Sequence, residues 1–554
     1  MRELKTVLGE IADRLDRNAA ASAYVQLEVL LSQSRELNDR GAEATALQLM
    51  GVAARLQGRL EEARLLLEES LRLAADMADS HGEAASCGEL GLIDLARGDY
   101  ASARSFFERA LGISAQLQDA HTTASTLHHL GVLAELQADY DRARDLYEQS
   151  LAINERLGSR LGVAITKYQI AMLAQLKGSY DEACRLYQEC LAISEEMGER
   201  AGIASTKHQL GIIAQGRGDY DEARRLYGES LAIFGELGDR SGVANAKHQL
   251  GVLAQQQGDY PEARRLYPES LEIKEELGDR SGIAQSKHQL GNIAYLTGDY
   301  PEARDLYEQS LAIAQELGDR SGIAITKHQF GMLAQEQGEY PEARRLYQES
   351  LSIAEELGDR SGMAKTKHQL GMIAHEEGDY PKARRLYEES LALAEEFGIR
   401  PGIAKIKHQL GMLAEDQGDY PEARRLYQES LEIKEELGDR LGIAESKHQL
   451  GMLARQQGDY PEACRLYQES LDIEEELGHR FGIAQSKAAL GNLAEEQGDI
   501  PAARALYQEA LAILEALGSP YAEAARGDLE RLASEEPKEK PKGKPRKKRR
   551  PPAS

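Results

Sequence analysis

The sequence predicts an all-α fold, a superhelical solenoid of stacked antiparallel helix hairpins, about thirteen of them, closed by a C-terminal capping helix. Three observations predict it. The chain repeats every 40 residues from about Gly51 to Gly518 without insertion or deletion: glycine recurs at 51, 91, 131, 211, 251, 291, 331, 371, 411, 451 and 491, and Ala171 takes its place once. A fixed period of this length marks a stacked array. Within each unit, apolar and small residues recur at steps of three and four, the spacing of a helix face, and show no strand-like alternation. Each unit also carries two sets of helix start and stop residues.

The stretch from Asp279 to Gly318 shows the unit in full. Asp279 is placed to cap a first helix, its carboxylate accepting from free N–H groups of the opening turn. The stripe that follows is Ile283, Ala284, Leu290, Gly291 and Ala294, with Lys287 set into it. Gly298 ends this helix. Asp299 caps a second helix, and Glu302 three residues on completes a capping-box pattern. Pro301 lies in the first turn, where its missing N–H costs little. The second stripe is Ala303, Leu306, Tyr307, Ser310, Leu311, Ala314 and Leu317, and Gly318 ends it. A lone hairpin cannot cover such stripes; stacked neighbours can, so the core is expected to run along the array.

Residues 1–38 form a degenerate capping hairpin, in which Leu8-Gly9 and Ala12 echo the motif. Twelve 40-residue units fill 39–518. Ser519-Pro520 opens a capping helix over 519–534, with proline at the first helical position. Residues 535–554 hold nine basic and three acidic residues, +6, and by composition are a disordered basic tail. One local conflict stands out. Pro268 falls about two turns inside a second helix, where proline costs roughly 3 kcal/mol, and the preceding unit has Gly228 there. A weak point, with a bend or hinge around 220–275, is expected.

The whole chain carries −26; without the tail, 58 basic residues face 90 acidic ones, −32. An acidic body does not suit nucleic-acid backbones. Cys87, Cys184, Cys190 and Cys464 have no paired spacing, which favours a reducing compartment. No signal-type apolar segment opens the chain, and no run reaches the roughly 18–20 apolar residues of a membrane span. A cytoplasmic location is expected, with nuclear import through KPRKKRR as the alternative in a nucleated cell. No phosphate-binding loop, zinc-protease motif or nucleophile elbow occurs, and carboxylates recur in every unit where a catalytic pair would occur once. The protein is therefore expected to be no enzyme and to need no cofactor or metal.

Leu290-Gly291, Ala294, Gly298, Ala303, Tyr307 and Leu311 resemble the framework of the tetratricopeptide repeat. That family's common unit has about 34 residues. This one has a longer first helix, with Lys287 where the common form prefers an aromatic. The variant is similar to arrays of Pins-type spindle-orientation adaptors, kinesin light chains and sensor arrays of large bacterial regulators. The resemblance implies that one face of the first helices lines a concave groove. On that face lies a histidine ladder, His208, His248, His288, His328, His368, His408 and His448, with Gln285, Asn292 and Tyr295 beside His288. Met332, Met372, Met412 and Met452 take the Asn292 position and offer adaptable apolar contact. These residues are the candidate peptide-binding groove. Each also has a framework reading: the histidine bonded to a neighbour, the methionine packed on the next helix, Lys287 reaching a second-helix carboxylate. The lysine-asparagine clamp of chaperone-binding relatives is not matched.

Some positions stay fixed through the array while others change. The place of Gln285 is taken by Ser205, Asn245, Ile325, Lys365, Lys405 and Glu445, and that of Tyr295 by Gln215, Gln255, Gln335, His375, Glu415 and Arg455. The expected function is a protein–protein interaction scaffold holding peptide or protein segments in its groove. The alternatives are a sensor or regulatory subunit of a signalling or NTPase system, and a nucleic-acid-associated protein acting through its tail.

Overall fold

A helix forms wherever the unit supplies a cap, an apolar stripe and a stop. The computed structural model describes residues 2–12, 15, 19–517, 519 and 521–535. Among them are 27 α-helices and no strand. In chain order these are α1 (Arg2–Ala12), α2 (Ala20–Glu36), α3 (Arg40–Leu56), α4 (Leu60–Asp76), α5 (Ser80–Ala96), α6 (Tyr100–Gln116), α7 (Ala120–Leu136), α8 (Tyr140–Leu157), α9 (Arg160–Leu176), α10 (Tyr180–Met197), α11 (Arg200–Gly216), α12 (Tyr220–Leu237), α13 (Arg240–Gln256) and α14 (Tyr260–Leu277). They continue as α15 (Arg280–Leu296), α16 (Tyr300–Leu317), α17 (Arg320–Glu336), α18 (Tyr340–Leu357), α19 (Arg360–Glu376), α20 (Tyr380–Glu396), α21 (Arg400–Asp416), α22 (Tyr420–Leu437), α23 (Arg440–Gln456), α24 (Tyr460–Leu477), α25 (Arg480–Glu496), α26 (Ile500–Ala516) and α27 (Ala522–Glu535). The chain is a helical solenoid of hairpins. Of the expected basic tail over 535–554, all but Glu535 lies outside the described residues, as do Gly518 and Pro520.

The caps account for the boundaries. Asp299 accepts from the Glu302 amide at 3.1 Å at the start of α16, and Asp319 from the Gly322 amide at 2.9 Å at the start of α17. Gly318 ends α16 at φ 67°, the left-handed region that would cost another residue about 1–2 kcal/mol. The capping helix α27 is Ala522–Glu535. Ser519 Oγ accepts from the Tyr521 amide at 3.3 Å in the turn that precedes it.

The chain divides into two compact units, Met1–Gly282 and Ile283–Ser554. In the first, α3 pairs with α4, and so on to α13 with α14; each second helix then meets the next first helix, as α4 meets α5. The first helices also touch one another, α3 with α5, α5 with α7, and α11 with α13. Helix α1 packs on α2 and α3 through Leu8 and Ile11. The core is a column of one large side chain per second helix: Leu67, Phe107, Tyr147, Tyr187, Tyr227 and Tyr267, all fully buried.

The second unit repeats the pattern with α17–α18 to α25–α26, and with first-helix contacts α17–α19, α19–α21 and α23–α25. Its column is Tyr307, Tyr347, Tyr387, Tyr427, Tyr467 and Tyr507. Helix α27 covers α26 with Ala525 and Leu532, and Arg526 pairs with Glu515 at 2.6 Å. In this unit each column ring lies on the glycine of its own hairpin: a Cβ at Gly291 would come within 2.6 Å of the Tyr307 ring. The stripe serine secures the pair, Ser310 Oγ donating to the Ala284 carbonyl at 2.9 Å and Ser350 Oγ to that of Ala324 at 2.8 Å.

Helix α14 runs unbroken through Pro268, whose position is exposed. Water can therefore serve the carbonyl that a proline leaves without its amide donor. Replacing Pro268 with Gln, as at Gln348 and Gln428, is expected to raise stability by up to about 3 kcal/mol. Amide exchange over 220–275 should slow in the variant, while exchange over 331–460 should not. An unchanged urea midpoint together with unchanged exchange would defeat this.

Candidate peptide-binding face

The first helices present one row after another on their exposed face, and side-chain caps help to fix the rotation of most of them, though not of α21 or α25. Because Asp319 starts α17 and Gly331 must lie on Tyr347, Ile325 is left pointing to solvent. Gln285 is exposed for the same reason, and so are its counterparts Asn245, Ile325, Lys365, Lys405 and Glu445.

The histidines lie deeper. His248 and His368 are buried; His208, His288, His328, His408 and His448 are half-buried. Each ring packs on the column tyrosine of its own hairpin, 19 residues on. Centroids are 5.5 Å apart for His208–Tyr227, 5.6 Å for His288–Tyr307, and 5.2 Å for His328–Tyr347, His408–Tyr427 and His448–Tyr467. His248–Tyr267 is at 5.4 Å and His368–Tyr387 at 5.8 Å. Two rings also reach the next first helix, His328 Nδ1 lying 3.0 Å from Thr366 Oγ1 and His448 Nδ1 3.4 Å from Ser486 Oγ. Burial pushes the imidazoles of His208, His288, His328, His368, His408 and His448 down to about 4. His248 falls to about 3, burial again leading, with the Lys274 charge next. These rings are neutral near pH 7. Among the described residues no group of three or more His, Cys, Asp or Glu is placed to hold a metal ion.

The other candidates are tied to the scaffold in varying degree. Asn292 Oδ1 accepts from the Tyr307 hydroxyl at 2.8 Å, and its amide donates to Gln289 at 2.9 Å. Tyr295 is half-buried, 5.9 Å from Tyr300 between centroids, and burial raises its phenol. Met332, Met372 and Met412 lean on one core cluster and Met452 on another, each keeping part of its surface open. The lysine inside the stripe reaches across its hairpin: Lys247 to Glu269 at 2.6 Å, Lys447 to Glu469 at 2.5 Å, and Lys287 to Gln309 at 2.6 Å.

One feature of the face is absent from the expected set. In α9 the ladder position holds Tyr168, whose ring lies 5.4 Å from that of Tyr187. With the exposed Leu161 and Ile165 it opens a recess of about 430 Å³ between α9 and α11, floored by Cys190 and Ser194 and closed by Thr206. The signal was present as three apolar departures from the repeated frame within eight residues. Among the described residues, no helix is long and apolar enough to cross a membrane.

Comparison with known proteins places this architecture. The tetratricopeptide repeat model matches residues 83–156, 162–236, 242–316, 322–396, 402–462 and 442–516. No curated protein matches the chain. Among solved structures, BtubC (BKLC) from P. vanneervenii is 23% identical with TM-score 0.35, over 40% of this chain and 91% of that one. A Rap protein complexed with competence and sporulation factor is 16% identical with TM-score 0.47, over 65% and 99%. The APC/C hetero-tetramer Cut9-Hcn1 is 15% identical with TM-score 0.45, over 88% and 96%.

Proposed function

Because the chain belongs to the tetratricopeptide repeat family, whose repeats in general build protein-interaction scaffolds, we propose that it is a non-catalytic scaffold holding a peptide or protein segment along the exposed face of its first helices. One observation carries the reading. The residues that bury and cap repeat nearly unchanged, whereas the exposed row of the second unit runs Gln285, Ile325, Lys365, Lys405, Glu445. Fixed positions maintain the array; changing, exposed ones are where a partner can be told apart.

The test uses residues that the scaffold does not need. Alanine at His288 and Asn292 would also disturb Tyr307, so loss of binding there would be ambiguous. Ile165 and Ile325 are 47% and 48% exposed and apolar, one in each unit. The double variant Ile165→Asp/Ile325→Asp is expected to keep its helicity and lose most of the protein recovered with the wild type by affinity purification and mass spectrometry. The same partners in the same amounts would refute the exposed face as the binding surface.

A further inference from the structure

We propose that Lys365 and Lys405 form a two-lysine reader for acidic side chains, selecting a partner peptide that carries two carboxylates about three residues apart. This rests on the reading that the exposed face of the first helices binds peptides, and it names the class of peptide.

The two lysines hold the same exposed row on adjacent first helices, α19 and α21, which touch each other. Neither has an ion-pair or hydrogen-bond partner among the described residues. That sets them apart from the lysines of the stripe. Lys367 and Lys407, on the same two helices, each reach a glutamate of their own hairpin, as Lys327 does on α17. A lysine whose role is to neutralise its own scaffold is paired; these two are not, in a chain that is −26 overall.

Their placement is toward the face and not away from it. The charge of Lys365 is felt at His328, and that of Lys405 at both His328 and His368, so each ammonium is near enough to act on the histidine of the preceding first helix. Two turns further along the first helices stand Met332, Met372 and Met412, partly open. The row is bounded on one side by Ile325 and on the other by Glu445. A complementary segment is therefore apolar opposite Ile325 and acidic opposite Lys365 and Lys405. Opposite Glu445 it carries no acid, because like charges there would repel. Packed helices lie roughly 8–10 Å apart and an extended chain advances about 3.3 Å per residue, which sets the acid spacing at about three. A lysine serves here as a point charge, giving charge-assisted hydrogen bonds to a carboxylate without demanding one geometry.

The experiment pans a displayed random peptide library on the full chain, on Lys365→Glu/Lys405→Glu and on Ile325→Asp. Both lysines are exposed and unpaired, so helicity and melting should match the wild type. Wild type should enrich peptides with Asp or Glu pairs two to four residues apart. These should bind the reversed variant at least about tenfold more weakly, and that variant should enrich Lys or Arg at the same spacing. Enriched peptides without acidic pairs overturn the lysine reader alone, provided that Ile325→Asp still abolishes their binding. So do peptides that bind Lys365→Glu/Lys405→Glu unchanged under the same proviso. No enrichment at all, or binding that neither variant weakens, overturns the peptide-binding face and the reader with it.

Discussion

Acidification from about pH 7 to pH 5 should destabilise the protein steeply, before its paired carboxylates begin to titrate. The cause is the histidine ladder. Six of the seven rings titrate at about 4 and His248 at about 3, against 6.5 for an open imidazole. Folding therefore holds these rings neutral. Above pH 6.5 neither state is protonated and nothing is lost. As pH falls from 6.5 toward 4, the unfolded chain takes up protons that the folded chain refuses, so stability drops through that window and levels off below it. A shift of this size is on the order of a few kcal/mol per histidine, summed over however many hairpins open together. The paired glutamates act lower: Glu229 and Glu349 are held below 4.5 by Lys207 and Lys327 first, and their contribution is lost only as pH falls below that value. Glu474 runs the other way, raised to about 7 chiefly by burial, so it favours the folded state as pH falls from 7 to 4.5; it is one group against seven. Urea midpoints followed by circular dichroism check the slope, and His408→Tyr provides the control. Tyr168 on Tyr187 shows that a phenol fits this position, so the variant should fold and respond less to pH. A midpoint constant from pH 7 to 5, or an unaltered slope in the variant, would overturn the assignment.

What the sequence made legible depended on whether a residue's role is local. Capping by Asp299, the stop at Gly318 and the phase of the stripe are decided within one or two turns, and all could be read from spacing. Roles set across the hairpin could not. His288 looks like a solvent-facing residue along its own helix; only the approach of α16 turns it onto Tyr307. Ser310 sits in an apolar stripe and donates to a carbonyl 26 residues back, which no helical wheel predicts. The division at Gly282–Ile283 falls inside α15, where the period is unbroken and gives no sign of it. On the candidate face, Lys365 and Lys405 were visible as changes in a row, but their lack of partners required the folded neighbours. The early turns depart from the rule that glycine ends these helices: Asn38, Ala78, Gln118 and Ala138 adopt positive φ, between 53° and 59°. That belongs to the divergent copies, where the backbone keeps its path although the preferred residue is missing.

Tyr347→Ala should cost about 3–5 kcal/mol, more than any other truncation in its hairpin. The ring is fully buried, stands between α17 and α18, and has Gly331 at a distance where a Cβ would meet it at 2.6 Å. Its removal therefore empties a space that the helices cannot close, since Ser350 ties α18 to the Ala324 carbonyl at 2.8 Å. Tyr347→Phe keeps the ring and loses only the hydroxyl's bond to Gln335, at 3.0 Å, so about 1 kcal/mol is expected. Gly331→Ala should fall nearer to Phe than to the cavity variant. Ala171 already takes the glycine's place in the core cluster of the fully buried Tyr187, and alanine returns about 1 kcal/mol of helix propensity that offsets part of the crowding. Gly331→Leu has no such precedent and should be as damaging as the cavity. In an array held by nearest-neighbour contacts, the loss should also be local. Native-state hydrogen exchange in Tyr347→Ala is expected to accelerate in α17 to α20 and to stay unchanged in α3 to α6. Equal stabilities for the Ala and Phe variants would mean that the ring is not the core of its hairpin, and uniform acceleration along the chain would mean that the repeats do not open one at a time.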